Sequence, residues 1–336
     1  MQGYRRIAVG AVVLGVLGAT GVWVSGAPGS PRAPGRQATT GTHGARKCSL
    51  GLAFGPWCRG SAATPTTPPI SATTTTPAGT GTAVSWWTPP TVVSWQWELD
   101  HPLDLASTSD MGTGVTTYTG APAPSPTVYD IDGFDNSAAT VSALKAAGDH
   151  VICYIEVGAA ESYRPDYSQF AAEDLGTAMP GYSSERYLNI NDPATVRVIE
   201  ARISMCASKG FDAVEPDIDD SYTDATGFSV TQSQNVVYDT TLAVYAHSLG
   251  LGWALKNGDA PGFAAAMQPV SDFVVDEQCH QYNSCDSFIP FASAGKAVLE
   301  VEYNLATSQF CSDADAANED AMGMDVNLNG GRQPCR

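Results

Sequence analysis

Four carboxylates fall within six positions of the stretch FDAVEPDIDDSY (residues 211–222): Glu215, Asp217, Asp219 and Asp220. Crowded like charges raise one another's pKa, and burial costs each of them. A strand interior does not collect acids without a reason, so the stretch reads as a strand whose end carries acid–base chemistry. A solvated loop and a calcium site are the competing readings. Calcium fits less well, because the spacing lacks the glycine-containing loop of a helix–loop–helix site. Paired carboxyls can hydrolyse a glycosidic bond: one protonates the leaving oxygen, while the other attacks the anomeric carbon or activates water.

Such groups need a scaffold that brings strand ends together. Strand-like runs occur at 94–99, 127–132, 150–158, 212–218, 252–257, 273–278, 297–303 and 322–328. Helical periodicity is clear at 137–148, 192–210 and 231–250, with shorter helices at 259–270 and 286–295. Asp192 is a natural N-cap with Pro193 at the first helical position, and Gly210 closes the same helix. Eight strands alternating with helices predict a (β/α)8 TIM barrel, with an open doubly wound sheet as the fallback. No glycine-rich phosphate loop follows the first strand, which argues against the dinucleotide form of the open sheet. Residues 100–127 read as irregular, and only a short tail follows the last strand, so an eighth helix is expected to be missing.

In a barrel, the C-terminal strand ends form the functional face. Polar groups gather there in strand after strand: Asp130 and Asp132, then Glu156, then Asp217, Asp219 and Asp220, then Lys256 and Asn257, then Asp276 and Glu277, then Glu302 and Tyr303. Glu215 points to the same side as Asp217 in an ideal strand. Trp95, Trp97 and Tyr154 add flat apolar surface, and acids with aromatics in one groove suit a sugar.

At EPDIDDSY, ALKN and DEQC the sequence resembles glycoside hydrolase family 114, the endo-α-1,4-polygalactosaminidase group. The likeness extends in order through WQWELD, VYDID, CYIEVGAAESYRPD, ERYLNI, KGFDAVEPD, AHSLGLGWALKN, VDEQCHQYNSC and GKAVLEVEY, over nearly all of residues 86–305. It implies a TIM barrel that hydrolyses α-1,4-linked galactosamine polymers, without a cofactor. It also implies a fourth-strand Asp and a sixth-strand Glu as the catalytic pair, here Asp217 as nucleophile or base and Glu277 as proton donor. Trp95, Trp97, Asp130, Asp132, Tyr154, Glu156, Glu215, Asp220, Lys256, Asn257, Glu302 and Tyr303 are the expected substrate contacts. One departure stands out: the family's usual Asn after EPD is Ile218 here, and Asp219 is an extra acid beside the usual one at Asp220. A barrel that binds carbohydrate without cleaving it is the alternative.

Charge narrows the partners. Of 17 basic and 35 acidic residues, seven basic and no acidic ones lie in residues 1–83, leaving 10 and 35, net −25, in residues 84–336. That argues against nucleic acid, whose phosphates need a basic face, and fits a soluble secreted protein or one whose substrate is a polycation; taken with the resemblance, the expected partner is a cationic or partly acetylated galactosamine polysaccharide. Residues 1–27 have two arginines, an apolar stretch and small residues, as an export signal or an uncleaved membrane anchor does. The expected protein is a secreted or outward-facing anchored monomer. Residues 28–83 are a Thr/Pro/Gly-rich linker, with Cys48 and Cys58 closing a small loop, and residues 84–336 are the hydrolase domain. Eight cysteines in an exported chain point to disulfides. Cys279 with Cys285 and Cys311 with Cys335 are the expected pairs, while Cys153 and Cys206 either pair or remain buried thiols. No Cys/His spacing matches a zinc site.

Overall fold

The structure is a computed structural model that describes residues 84–336; the signal or anchor, the linker and the Cys48–Cys58 loop lie outside the described residues. The strands in chain order are β1 (Trp95–Glu98), β2 (Val128–Asp132), β3 (His150–Glu156), β4 (Ala159–Glu161), β5 (Leu175–Met179), β6 (Tyr182–Leu188), β7 (Ala213–Asp217), β8 (Gly252–Lys256), β9 (Phe273–Glu277), β10 (Val298–Glu302), β11 (Asp320–Met324) and β12 (Arg332–Pro334). The main sheet runs β1-β2-β3-β7-β8-β9-β10-β11-β12, with every neighbour parallel until β12 turns back on β11. Eight parallel strands in sequence order make the (β/α)8 barrel.

Its helices are α1 (Ala138–Ala147), α2 (Pro193–Lys209), α3 (Gln232–Ser248), α4 (Phe263–Met267), α5 (Cys279–Tyr282), α6 (Ile289–Ser293) and α7 (Cys311–Ala317). The caps read from sequence hold: the Asp192 side chain accepts from Ala194 N, Pro193 opens α2, and Gly210 ends it in the left-handed region. Among the described residues no helix is long and apolar enough to cross a membrane.

Period-two alternation sorts the barrel strands into two cores. Trp95, Trp97, Val128, Ile152, Tyr154, Ala213, Ala254, Phe273, Val275, Leu299, Val301, Met322 and Met324 fill the barrel interior. The intervening positions, such as Tyr129, Ile131, Val151, Val214 and Trp253, face α1, α2 and α3. The seam between β1 and β11 lacks a strand ladder and is closed by other bonds. Gln96 Nε2 donates to Gly330 O (2.6 Å), Leu99 N to Leu328 O (3.1 Å), and Arg332 Nη1 to Trp95 O (3.0 Å).

Three features depart from the sequence reading. Residues 159–188 fold into a separate antiparallel sheet, β4-β6-β5, between β3 and α2. A helix, α7, stands between β10 and β11. The C-terminal tail adds β12 in place of an eighth helix. Short strands joined by irregular loops carry too little periodicity to stand out in sequence.

Among the described residues three disulfides are present: Cys279–Cys285, Cys311–Cys335 and Cys153–Cys206. The last pair, left open by the sequence, ties β3 to α2 across the helix-facing core.

Candidate active site

Three strands end on chemistry-bearing residues: β7 on Asp217, β8 on Lys256 and β9 on Glu277. Each is followed at once by a non-glycine residue in the left-handed region: Ile218 (φ 60°), Asn257 (φ 49°) and Gln278 (φ 68°). Such backbone is uncommon outside glycine and concentrates at functional sites. It stops each ladder one residue past the inward side chain, leaving that side chain at the rim. Ile218 is the most strained of the three, because its branched Cβ disfavours this region, whereas Asn tolerates it. Backbone conformation therefore accounts for an Asn preference at this position without a substrate contact. Gly158 completes the corner: a Cβ there would lie 2.0 Å from Ile218 O.

The three side chains meet. Lys256 Nζ lies 2.9 Å from Glu215 Oε1, 3.1 Å from Asp217 Oδ1 and 3.4 Å from Glu277 Oε2. The Tyr154 hydroxyl donates to Asp217 Oδ2 at 2.6 Å. Glu277 accepts from the Tyr303 hydroxyl, and its backbone N donates to Asn257 Oδ1 at 3.0 Å. Burial pushes Glu277 above the usual carboxylate range, opposed by Lys256 and reinforced by Asp217. Lys256 is held well above the usual ammonium value: its burial is outweighed by Asp217, Glu215 and Glu277 around it. The Lys256 ammonium also sits 5.0 Å from the Trp97 ring centroid.

The remaining acids of the opening cluster separate by role. Asp219 is fully buried; its Oδ2 accepts from Lys256 N (3.0 Å), so it braces the end of β8 against β7. Asn235 of α3 donates to Asp219 O and, at 2.9 Å, to Asp239 Oδ2. Asp220 is half-buried, and burial with the neighbouring Asp224, Asp217 and Asp259 pushes its carboxyl up to about 7.

Several expected substrate contacts sit elsewhere. Trp95 and Trp97 are 2 % and 0 % exposed inside the barrel, so neither ring can stack on a sugar. Trp97 instead donates Nε1 to Glu215 Oε2 at 3.1 Å. Asp130 is fully enclosed, and Asp132 is bound by Arg164 through two hydrogen bonds. Glu302 follows inward-facing Val301, so alternation turns it outward, where it accepts from Gln281 N at 2.9 Å. Asp276 faces outward likewise and accepts from Cys279 N. Glu156 stays at the rim, crowded by Glu161, Glu185 and Asp217, with burial raising it well above the carboxylate range.

Sequence reasoning missed the arginines that hold this end of the barrel. Arg164 spans Asp132, Asp135 (3.1 Å) and Glu161 (2.8 Å), while Arg202 of α2 binds Asp166 (2.7 Å) and Glu156 O (2.8 Å). Arg164 lies within the CYIEVGAAESYRPD stretch, where it was not singled out, and Arg202 lies in the middle of a helix, where no local motif marks it. A cavity of about 400 Å³ opens beside the site, lined in part by Tyr303, Thr307, Asp325 and Gln333.

Closely spaced candidate metal ligands among the described residues occur at Cys279/His280/Cys285/Glu319, at Glu98/His101/Asp110 and at Asp276/Cys279/Glu300, none of them in the 215–220 cluster. The cysteines of the first and third groups are in a disulfide. In the second, Glu98 and Asp110 accept backbone N–H bonds from Asp100 and Asp104.

The chain is similar to the structure of Aspergillus fumigatus Ega3 in complex with galactosamine, at 30 % identity over 75 % of this chain and 98 % of that one, with a TM-score of 0.66. The glycoside hydrolase domain of PelA from Pseudomonas aeruginosa shares the fold at 13 % identity, covering 70 % of this chain and 96 % of that one, with a TM-score of 0.51. No curated protein sequence matches. The description of glycoside-hydrolase family GH114 matches residues 76–336, a span that takes in the whole barrel with Asp217, Lys256 and Glu277 at its rim, and the chain belongs to that family of glycoside hydrolases.

Proposed function

We propose that this protein is a secreted endo-acting hydrolase of α-1,4-linked galactosamine polymers, working through Asp217 and Glu277. The observation that carries this reading is a single lysine ammonium within 3.1 Å of one carboxylate and 3.4 Å of the other. Asp217 accepts from both Tyr154 and Lys256, which fix the orientation of its carboxylate at the rim, as a nucleophile or base requires. Glu277 is pushed upward by burial, as a proton donor requires. The substrate follows from the likeness to Ega3, whose structure holds galactosamine, and from the net charge of −25 over residues 84–336, which draws in a polycation.

The geometry also bears on the stereochemical course. Both oxygens contact one nitrogen, so they are no farther apart than the sum of those two contacts. Retaining enzymes hold their carboxyls about 5–5.5 Å apart and inverting enzymes about 6.5–9.5 Å. That bound, about 6.5 Å, stands at the lower edge of the inverting range, and retention is the course proposed: Asp217 attacks the anomeric carbon while Glu277 protonates the leaving oxygen. Water then enters as Glu277 takes a proton back.

The test is incubation of the purified protein with partly deacetylated α-1,4-galactosamine polymer. Mass spectrometry should find a ladder of internal cleavage products, and proton NMR should find the α-anomer formed first. Binding without products over long incubation would instead support the non-hydrolytic barrel.

A further inference from the structure

Beneath the rim, two acids touch. Asp130 lies one inward position below Asp132 on β2, in register with Trp97 of β1 and Ile152 of β3, and is fully buried. Neither of its carboxyl oxygens meets an N–H or hydroxyl donor. Trp97, the β1 residue in register with Asp130, donates Nε1 to Glu215 Oε2 at 3.1 Å, which sets the Glu215 carboxyl beside Asp130 as its side-chain hydrogen-bond partner. Two ionised carboxylates are acceptors only, so this contact requires one proton between them. Where that proton resides follows from the other neighbours. Glu215 has Trp97 Nε1 at 3.1 Å and Lys256 Nζ at 2.9 Å, groups that stabilise an anion. Asp130 has neither, and buried without donors it is the member that stays neutral.

We propose that Asp130 is a positioning residue: as a neutral acid it donates a hydrogen bond to Glu215, keeps Glu215 available as the counter-ion of Lys256, and so sets how much of the lysine charge is left to Asp217 and Glu277. This rests on the reading that Asp217 and Glu277 carry the hydrolysis. The charged and titratable groups facing the pair are Lys256 from β8 and Asp217 from β7, with Tyr154, Glu277 and Tyr303 gathered beyond them. Burial and the adjacent Glu215 push Asp130 well above the carboxylate range, with Lys256 opposing. The result is a column of alternating character, neutral acid, anion, cation, anion, rising from the barrel interior to the rim.

Two variants test it. Asp130→Asn keeps an N–H donor toward Glu215 but removes the acid. The wild-type minus Asp130→Asn infrared difference spectrum at pH 7 should show loss of a protonated-carboxyl C=O band with no matching carboxylate band. Its pH profile on partly deacetylated galactosamine polymer should overlay that of the wild type. Asp130→Leu keeps the volume but removes the donor. Glu215 then holds the lysine less well, the Lys256 charge shifts toward Glu277, and Glu277 gives up its proton at lower pH. The basic limb of kcat/KM should move down by about one pH unit, with turnover above it falling about tenfold. A lost carboxylate band in Asp130→Asn, or a folded Asp130→Leu enzyme with an unmoved profile, would overturn the proposal. Should Asp130→Leu not fold, the infrared band and the Asp130→Asn profile decide by themselves. A wild-type enzyme that leaves the polymer intact would refute the hydrolytic reading, and the infrared measurement would still settle the proton on Asp130.

Discussion

Lys256 and Asp217 are each only 2 % exposed, yet they form an ion pair at 3.1 Å at the end of two adjacent parallel strands. The same ammonium compensates Glu215 and Glu277. Lys256→Met removes one cation and leaves three neighbouring acids without their shared counter-charge. Breaking a buried pair in this way costs about 3–5 kcal/mol, so the melting temperature should drop clearly. Turnover should fall at least about 100-fold, because the acids must then take up protons to stay buried. An enzyme with wild-type melting and rate would show that the lysine has no electrostatic role.

Asp217→Asn and Glu277→Gln preserve shape while removing the titrating group. Each should lower kcat by about 10²–10⁴-fold or more, with little change in melting. Asp219→Asn should show the opposite pattern. Its carboxylate holds Lys256 N at 3.0 Å in a fully buried site, so the loss belongs to stability, about 1–3 kcal/mol, with a modest effect on rate. Comparing melting curves with initial rates for the three variants separates the roles. Full activity in Asp217→Asn together with none in Asp219→Asn would reverse the assignment.

Stability should decline as pH rises. Asp320, Glu98 and Asp220 are raised to about 6, about 7 and about 7, chiefly by burial, and Asp130, Asp276 and Glu300 are raised well above the carboxylate range for the same reason. A carboxyl raised above its unfolded value near 4 binds more protons in the folded state. Stability is then lost as pH climbs from about 4 through the folded pKa. His101, raised by Glu98 and Asp110 against desolvation, and His280, raised by Glu319, act in the same direction around neutrality. Asp110, lowered by Ser107 and its other hydrogen-bond donors, acts oppositely, but only at acid pH. Thermal melts should give a higher midpoint at pH 5 than at pH 8; a midpoint that rises over that range would contradict the buried neutral acids.

The Cys153–Cys206 bridge spans 53 residues and joins β3 to α2, whereas Cys279–Cys285 spans only 6. In the chain-entropy picture, the longer loop contributes about 4 kcal/mol and the shorter about 2. Cys153→Ala with Cys206→Ala should therefore lower stability more than the paired change at 279 and 285. The shorter bridge lies two residues past Glu277, so its removal should show more in rate than in melting. Denaturant unfolding and initial rates on the two double variants check this ordering.

The segment before β1 is part of the barrel's base. Trp86 stacks on His247 with ring centroids 4.0 Å apart and donates Nε1 to Asp272 at 3.1 Å, and Trp87 stacks on His150 at 4.3 Å. A chain beginning at Val84 should fold and keep its activity. One beginning at Pro90 should melt several degrees lower, since each stacked pair is worth about 0.5–1.5 kcal/mol beyond area. Equal melting of the two would show that the stacking contributes nothing.

The barrel itself was legible in the sequence, because eight apolar runs of strand length alternate with capped helices, and strand ends in a barrel share one face whatever the details. That rule alone brought Asp217, Lys256 and Glu277 into one neighbourhood, since each terminates its strand. Strand alternation also placed Glu215 and Asp217 on one side, as they are. Depth and partner were not legible. Trp97 and Asp130 carry the same residue types as rim contacts, but strand length and tilt set them a layer lower, where Trp97 serves Glu215 and Asp130 is enclosed. Glu302 lies one residue past an inward position, and a single step reverses its face. Arg164 and Arg202 bind Asp132 and Asp166 across 32 and 36 residues of chain, through an inserted sheet and a helix whose placement no local pattern specifies. Local periodicity fixes which residues share a strand face; only the packed barrel decides how deep each one lies and which charge it meets.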